Sequence, residues 1–247
     1  MELIQVANHK FAFSHLFNSS DAVEPFPSEI DSSSNVCIED CYIATGDDLV
    51  AVKSGWDEYG IAYGRPSYGI TIRRVTGSTP FAGIAIGSET SGGVENVLAE
   101  NLNIFNSGVG IHVKTNIGRG GIIRNITVSD VHLHNVRKGI KVAGDVGDHP
   151  DNKFNPNALP VVDGVALKNI WGEKILQPGS IEGLKDSPFT RICLSNINLG
   201  DASSTGAAAA AAWKCQDVSG AALGVQPLPC PELTSTHGAD GFCSVSL

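Results

Sequence analysis

The sequence predicts an all-β protein whose architecture is a right-handed parallel β-helix. Six copies of one short pattern, apolar-x-apolar-x-polar-apolar, recur along the 247 residues. The copies begin at Val36, Ile70, Val97, Ile126, Val165 and Ile192. Alternation of this kind, rich in β-branched residues, is typical of a short strand with one buried face. Because so small a repeat cannot bury its apolar face alone, we expect successive copies to stack as coils.

A second strand motif follows each of the first four copies at a constant distance of 14 residues. It reads Val50-Ala51-Val52, Ile84-Ala85-Ile86, Ile111-His112-Val113 and Ile140-Lys141-Val142. The alternative all-β architecture is a β-sandwich, which predicts no constant offset between strands. The Asn or Asp that recurs at the polar position of the first motif is expected to stack from coil to coil as a ladder.

The repeats divide the chain into a β-helix domain over 31–200, a preceding segment 1–30 and a C-terminal tail 201–247. Segment 1–30 contains no copy of the pattern, and Pro25 and Pro27 disfavour a strand there. Within the domain, residues 144–160 are rich in Asp, Asn and Pro and predict a long polar loop between coils. Residues 200–212 form a Ser/Gly/Ala run that is either a linker or a short helix.

Composition excludes several classes of protein. A net charge of -9 argues against a nucleic-acid-binding function. No apolar run reaches the length of a membrane span, so no membrane association is expected. The first 15 residues include His9 and Lys10 among short apolar pieces and do not read as a signal peptide. Glycosylation sequons at Asn18 and Asn125 favour a secreted origin, although such triplets also occur by chance.

The six cysteines fall into two groups of three. The first group lies inside strand motifs, where a small buried side chain is expected. The second group lies in the Gly/Pro-rich tail, where a disulfide would constrain a segment with little core of its own. The strand cysteines are Cys37, Cys41 and Cys193, and the tail cysteines are Cys215, Cys230 and Cys243.

Superposing the repeats predicts where each candidate site residue lies on the surface of the solenoid. Counted from the start of each copy, Asp47 and Asp48 occupy offsets 11 and 12 of the first coil. His112 occupies offset 15 of the third coil. Lys53 and Lys114 share offset 17 two coils apart, which at about 4.8 Å per coil separates them by roughly 10 Å. We therefore expect all five side chains to lie along one strip.

Two adjacent carboxylates after a glycine suit hydrolysis of a glycosidic bond. One carboxyl group must hold a proton while the other stays charged, and repulsion at short range separates the two roles. An inverting reaction also needs room for a water molecule between the carboxyl groups. The alternative is that Gly46-Asp47-Asp48 is only a polar turn between two strands.

The block around these residues resembles plant polygalacturonase-like proteins of glycoside hydrolase family 28. The resemblance is carried by Thr45-Gly46-Asp47-Asp48-Leu49-Val50-Ala51-Val52-Lys53, Gly83-Ile84-Ala85-Ile86-Gly87-Ser88-Glu89 and Lys114-Thr115-Asn116-Ile117-Gly118-Arg119-Gly120-Gly121. It covers about residues 31–200. It implies a right-handed parallel β-helix that acts outside the cell on pectic polysaccharide, by inverting hydrolysis without a metal or other cofactor.

The resemblance also implies roles for individual residues. Asp47 matches the general acid of the family, and Asp48 matches one of two carboxylates that activate the attacking water. Lys114 matches the lysine of an Arg-Ile-Lys motif that binds a substrate carboxylate. His112 replaces the arginine of that motif, and we expect it to be charged only as the pH falls toward its pKa of about 6.5.

The chain departs from the family pattern at two further motifs and at its N-terminal end. An Asn-Thr-Asp-Gly motif with a third catalytic carboxylate is expected just before Asp31, where the chain has Glu24-Pro25-Phe26-Pro27. A Gly-His-Gly motif is expected at Phe81-Ala82-Gly83. Segment 1–30 does not resemble the family, so the predicted β-helix is incomplete at its N-terminal end.

These observations predict a polygalacturonase-type hydrolase with Asp47 and Asp48 as catalytic residues and Lys114, His112 and Lys53 as substrate-binding residues. The expected partner is polygalacturonate or a related glycan, the expected location is the cell wall, and the expected state is a monomer. The alternatives are a catalytically impaired pectin-binding protein and a truncated fragment without a function of its own.

Overall fold

A computed structural model describes residues 29–199, 213–233 and 243, together with the backbone of residues 7–12 and 17–18. The described residues form thirteen strands in one sheet, and all pairings between these strands are parallel. The strands are β1 (Ala7–Ala12), β2 (Phe17–Asn18), β3 (Glu29–Asp31), β4 (Ser34–Ala44), β5 (Val50–Lys53), β6 (Ser67–Ser78), β7 (Ala82–Ile86), β8 (Val94–Lys114), β9 (Ile122–Ala143), β10 (Val161–Glu182), β11 (Phe189–Asn198), β12 (Lys214–Gln216) and β13 (Val218–Gln226). One short helix, α1 (Asp57–Tyr63), follows β5, and a 3-10 turn covers Pro231–Leu233.

The strands stack in the register that the repeat predicts. In the second strand motif, Val50 pairs with Ile84, Ile84 pairs with Ile111 and Ile111 pairs with Ile140. Each coil therefore lies one strand spacing, about 4.8 Å, beyond the preceding coil. The parallel β-helix is confirmed. The second strand motifs of successive coils pair side by side, and this row of strands carries the strip that the sequence predicted.

The core consists of columns of apolar side chains that run from coil to coil. The first residues of five copies of the pattern are successive partners in the sheet and are all at most 2% exposed. This column is formed by Ile70, Val97, Ile126, Val165 and Ile192. Burial of each such side chain stabilises the fold by about 1.5–3 kcal/mol, so the stack of coils carries its own core.

The recurring polar residue of the first motif bends the long strands. All six copies have positive φ, between 52° and 57°, a left-handed conformation that Asn and Asp tolerate better than most residues. The Asn196 amide donates to Asn169 Oδ1 (2.9 Å), and the Asn169 amide donates to Asp130 Oδ1 (3.0 Å). The predicted ladder is thus confirmed, and it explains how single strands such as β8 cover more than one face of a coil.

The sheet extends beyond the β-helix region assigned from the sequence. On the N-terminal side, β1 and β2 both pair with β4, although segment 1–30 contains no copy of the pattern. On the C-terminal side, β12 pairs with β10 and β13 pairs with β11, so the sheet continues past residue 200. Backbone hydrogen bonds can add a strand without the side-chain pattern, which is why these strands escaped the sequence analysis. Residues 200–212 lie outside the described part of the chain.

The cysteines pair differently from the expectation for the strand group. Cys193, predicted to be a small buried side chain, is buried but also forms a disulfide with Cys243 across 50 residues of sequence. Cys193 lies on β11 and packs with Ala166, Ala221 and Cys243. Cys215 bonds to Cys230, and neither Cys37 nor Cys41 takes part in a disulfide. Two of the tail cysteines therefore pair with each other, and the third pairs with a cysteine on β11, the strand of the last repeat copy.

The predicted polar loop over 144–160 contains no strand and connects β9 to β10. It crosses the end of the strand row that carries the candidate site. Among the described residues, no helix is long and apolar enough to cross a membrane.

Candidate active site

Asp47 and Asp48 lie in the turn between β4 and β5 and differ in exposure to solvent. The Asp47 side chain is exposed, whereas Asp48 is 6% exposed. Asp47 Oδ1 accepts a hydrogen bond from the Asp48 N–H (2.7 Å), and the Asp47 carbonyl accepts one from the Thr79 hydroxyl of the next coil. The turn thus fixes one solvent-facing and one enclosed carboxylate side by side.

Asp48 is held by groups from two other coils. Its Oδ1 accepts a hydrogen bond from the Ala82 N–H (2.8 Å), and its Oδ2 accepts one from Lys114 Nζ (2.6 Å). The side chains of Asp48 and Lys114 are only 8% and 18% exposed. A charge-assisted hydrogen bond in such a partly buried setting is stronger than one between neutral groups. The structure therefore brings together Asp47, Asp48 and Lys114, as the sequence predicted.

His112 belongs to the same strip, but its imidazole does not have the expected charge state. It is 9% exposed, and its Nε2 has no hydrogen-bond partner among the described residues. Burial, followed by the charges of Lys141, Lys114 and Lys138, lowers the pKa of His112 from 6.5 to about 3. The expectation that it gains charge near pH 6.5 is therefore wrong, because protonation would place a buried cation among three lysines.

Lys53 lies on the same row as Lys114 but makes different contacts. Its Nζ is 2.6 Å from Glu29 Oε1 and 3.4 Å from Glu89 Oε1. Burial alone would lower the pKa of Lys53, but the hydrogen bond to Glu29 and the charge of Glu89 raise it above its ordinary value. Lys53 is therefore already paired with two carboxylates and is not in contact with Asp48 in the described structure.

A buried ion pair that the sequence analysis missed builds one rim of this strip. Arg119 and Asp57 are both fully buried and form a salt bridge, and Asp57 Oδ2 lies 2.6 Å from His149 Nδ1. Arg119 also donates to the carbonyls of Ser88 (2.9 Å) and Asp148 (2.6 Å). These five residues follow the strand row in four successive coils, so one guanidinium joins four loops.

Aromatic side chains complete the rim. The Trp56 indole N–H donates to the carbonyl of Asp148 (2.9 Å), and Tyr59 on α1 donates to Asp151 Oδ2 (2.6 Å). His149 stacks on Phe154, with ring centroids 3.5 Å apart. The Gly-rich run after Lys114 and the Asp, His and Pro of the polar loop were visible in the sequence. The hydrogen bonds between these segments could not be predicted, because they join residues up to 92 positions apart.

A cavity of about 450 Å³ opens beside Asp47. It is lined by Ala44, Thr45, Gly46, Ser78, Thr79, Pro80 and Asn106. An exposed Asp47 is expected of both a polar turn and a catalytic turn.

One other group of side chains has the composition of a metal site. Cys215, Cys230 and Glu232 converge within 4.8 Å in the described C-terminal residues. Because the two sulfurs are bonded to each other, they offer no thiolate ligands.

A parallel β-helix with paired carboxylates and a lysine on one strand row is the arrangement expected of a β-helical glycoside hydrolase. The chain belongs to glycosyl hydrolases family 28, whose family model matches residues 14–224. The match begins inside segment 1–30 and ends inside the region that the sequence analysis assigned to the tail. The architecture is the right-handed parallel β-helix of polygalacturonases.

Plant relatives cover most of the chain. A probable polygalacturonase of Vitis vinifera is 43% identical over 216 residues, which are 87% of this chain and 42% of that protein. A probable polygalacturonase of Arabidopsis thaliana is 33% identical over 227 residues, which are 89% of this chain and 46% of that protein. The chain thus spans less than half the length of these curated relatives.

Solved structures agree with this assignment. A hyperthermoactive exopolygalacturonase from Thermotoga maritima has a TM-score of 0.69 and 30% sequence identity, covering 80% of this chain and 42% of that chain. A polygalacturonase from Erwinia carotovora, at 23% identity and a TM-score of 0.56, shares the fold over 77% of this chain and 45% of its own.

Proposed function

We propose that this chain carries the catalytic groove of an enzyme that hydrolyses glycosidic bonds in pectic polygalacturonan. The observation that carries the proposal is the Asp48–Lys114 contact of 2.6 Å beside the exposed Asp47. Family membership and the polygalacturonase relatives support the reaction class. No metal or other cofactor is needed for this chemistry.

In the proposed reaction, Asp47 is the general acid. Its exposed carboxyl group protonates the oxygen of the leaving sugar as the glycosidic bond breaks. Asp48 accepts a proton from the water that attacks the opposite face of the sugar, which inverts the anomeric configuration. The hydrogen bonds from Ala82 and Lys114 orient Asp48 for this role, since they fix both of its oxygens.

Lys114 has a second proposed role in binding the substrate. An ammonium group has three N–H donors, so Lys114 can bind Asp48 and a uronate carboxylate at the same time. This local positive charge would offset the net charge of -9, which otherwise repels a polyanion. His112, neutral and buried behind Lys114, would contribute shape and polarity rather than charge. Lys53, held by Glu29 and Glu89, would bound the upstream end of the groove.

We further propose that the protein acts as a monomer outside the cell, in the cell wall, with polygalacturonate or a related glycan as its partner and no nucleic acid. The two disulfides support an oxidising compartment. The Asn125 sequon is exposed on the solenoid surface, where a glycan could be attached.

Release of reducing ends from polygalacturonate tests the proposed function. The unmodified chain should release them, and Asp47→Asn should lower the rate by at least about 100-fold. Asp186→Asn is the matched control, because this exposed carboxylate lies in the turn Leu184–Ser187 far along the chain. Equal rates for the unmodified chain and Asp47→Asn would rule out the proposed role of Asp47.

The pectin-binding alternative rests on the sequence Glu24-Pro25-Phe26-Pro27, which replaces the motif with the third catalytic carboxylate. These four residues lie outside the described part of the chain. Binding of oligogalacturonate without release of reducing ends would favour this alternative, whereas turnover would exclude it.

A further inference from the structure

We propose that Arg137, Lys138 and Lys141 form a second carboxylate-binding subsite, which holds a uronate unit of the polygalacturonan chain downstream of Asp48. This inference rests on the proposed function, since it names a further contact for the same polyanion. It assigns a role to three cations that neither the sequence pattern nor the catalytic site explains.

The register of the sheet places this subsite on the row of the catalytic turn. The backbone of Ala82, which binds Asp48, pairs with Val109, and Val109 pairs with Lys138. Lys138 is therefore three coils beyond Asp48, or about 14 Å along the axis. Lys141 pairs directly with His112, one coil closer to the catalytic residues. A polysaccharide that lies along the row over Asp48 would pass over these cations.

A cavity is present at this position. Its volume is about 280 Å³. It is lined by Gly108, Val109, Arg137, Lys138, Lys141, Leu176 and Gln177. Leu176, which is 68% exposed, provides an apolar surface beside the charged groups. Carboxylate recognition by cations next to an apolar contact suits a uronic acid, whose ring has C–H groups on its faces.

The three cations lack the partners that other cations of the molecule have. Within residues 29–199 and 213–233, no carboxylate lies within ion-pair distance of any of them, whereas Lys53, Lys114 and Arg119 each have at least one. Lys138 Nζ donates a 3.3 Å hydrogen bond to Ser180 Oγ. Burial and the charge of Lys141 lower the pKa of Lys138 below its ordinary value. An anion bound between these groups would relieve their mutual repulsion.

The geometry also suits a carboxylate in particular. Arg137 can present a planar pair of donors to both oxygens of a carboxylate, and the two lysines add point charges. The His112 Nε2, buried and without a partner, lies on the adjacent coil of the same row. The strip thus has cations on two successive coils. Lys114 lies on β8, and Lys138 and Lys141 lie on β9 of the next coil.

The test measures binding of hexagalacturonate by calorimetry in an Asp47→Asn background, which prevents turnover. Adding Lys138→Gln and Lys141→Gln should weaken binding by at least about 10-fold, because each lost charge-assisted hydrogen bond is worth that much. The matched control adds Lys168→Gln and Lys185→Gln, which remove the same charge at positions off this row, and should leave the affinity unchanged. Thermal unfolding monitored by circular dichroism establishes that each variant folds.

Two further arms identify the ligand chemistry. A fully methyl-esterified hexamer should bind the background and the Lys138/Lys141 variant equally, since it has no carboxylate. Inorganic phosphate should bind more weakly than the hexamer, and tighter phosphate binding would overturn the assignment to a uronate chain. Equal hexagalacturonate affinity with and without the two lysines would overturn the inference alone. If the Asp47→Asn variant with all its lysines did not bind hexagalacturonate, both the inference and the proposed function would be overturned.

Discussion

Lys114 Nζ lies 2.6 Å from Asp48 Oδ2, although the two residues are 66 positions apart in the chain. The parallel stacking of β5, β7 and β8 places Lys114 two coils from the turn that contains Asp48, and the lysine side chain reaches that turn. It joins a proposed water-activating carboxylate to a proposed substrate-binding cation. The stability of the site and its affinity for substrate are therefore linked.

Replacing Lys114 by Met should leave Asp48 buried with one oxygen unpaired. We expect the free energy of unfolding to fall by about 1–3 kcal/mol, because a buried acceptor loses a charged donor. Binding of oligogalacturonate should weaken as well. Urea unfolding and calorimetry measure the two effects, with Lys168→Met as the control. An unchanged unfolding free energy would show that the contact does not stabilise the fold.

Arg119→Met should be far more destabilising than removal of a surface arginine. It would leave Asp57 Oδ1 and the carbonyls of Ser88 and Asp148 without the Arg119 donor around a fully buried carboxylate, which costs about 3–5 kcal/mol. Arg124→Met is the matched control, because Arg124 pairs with Glu95 while 55% exposed and such pairs contribute at most about 1 kcal/mol. Similar urea midpoints for the two variants would contradict the role of Arg119 as the centre of the rim.

His112 should make stability depend on pH in the acid range. Its pKa is about 3 in the folded protein, against about 6.5 when unfolded, so the unfolded chain binds more protons between these values. This contribution to stability is complete above pH 6.5 and is lost progressively as the pH falls toward 3. The slope should be about 1.4 kcal/mol per pH unit.

The comparison with His112→Phe isolates this effect. Between pH 6 and pH 4, the unmodified chain should lose about 2–3 kcal/mol more stability than the variant, as measured by urea unfolding. The His112 imidazole should also stay unprotonated over this range, which the chemical shifts of its ring protons report. A His112 titration near pH 6.5 would contradict the buried, neutral state.

Reduction of the Cys193–Cys243 disulfide should destabilise the C-terminal coils. The bond closes a loop of 50 residues, for which loop-closure entropy predicts about 4 kcal/mol. Cys193→Ser combined with Cys243→Ser should lower the thermal midpoint, whereas Cys41→Ser, at a cysteine outside both disulfides, should have a smaller effect. Equal midpoints for the double variant and the unmodified chain would show that the bond does not constrain the fold.

The sequence could predict the coils because their signal is local and repeated. The constant 14-residue offset placed Asp48 and Lys114 on one strip, and the structure joins them directly. The position of His112 was predicted as well, but its charge was not, because that charge depends on burial and on neighbouring lysines. Sequence spacing does not report either of these.

Other features could not be predicted because they depend on contacts without a pattern. Asp57 begins α1, whereas Arg119 and His149 lie in loops, and nothing in their spacing indicates a shared site. Lys138 was in principle visible, since it occupies the offset of Asp48 three coils later. The strands after residue 213 pair through their backbones and carry too little alternation to be recognised.

Proton NMR of the first sugar anomer released from polygalacturonate tests the central claim most directly. If Asp47 protonates the leaving oxygen while Asp48 activates water, the first reducing end should have the opposite anomeric configuration to the bond that was cut. Asp48→Asn should abolish this product without unfolding the chain. Release of a product with retained configuration, or full activity of Asp48→Asn, would contradict the account.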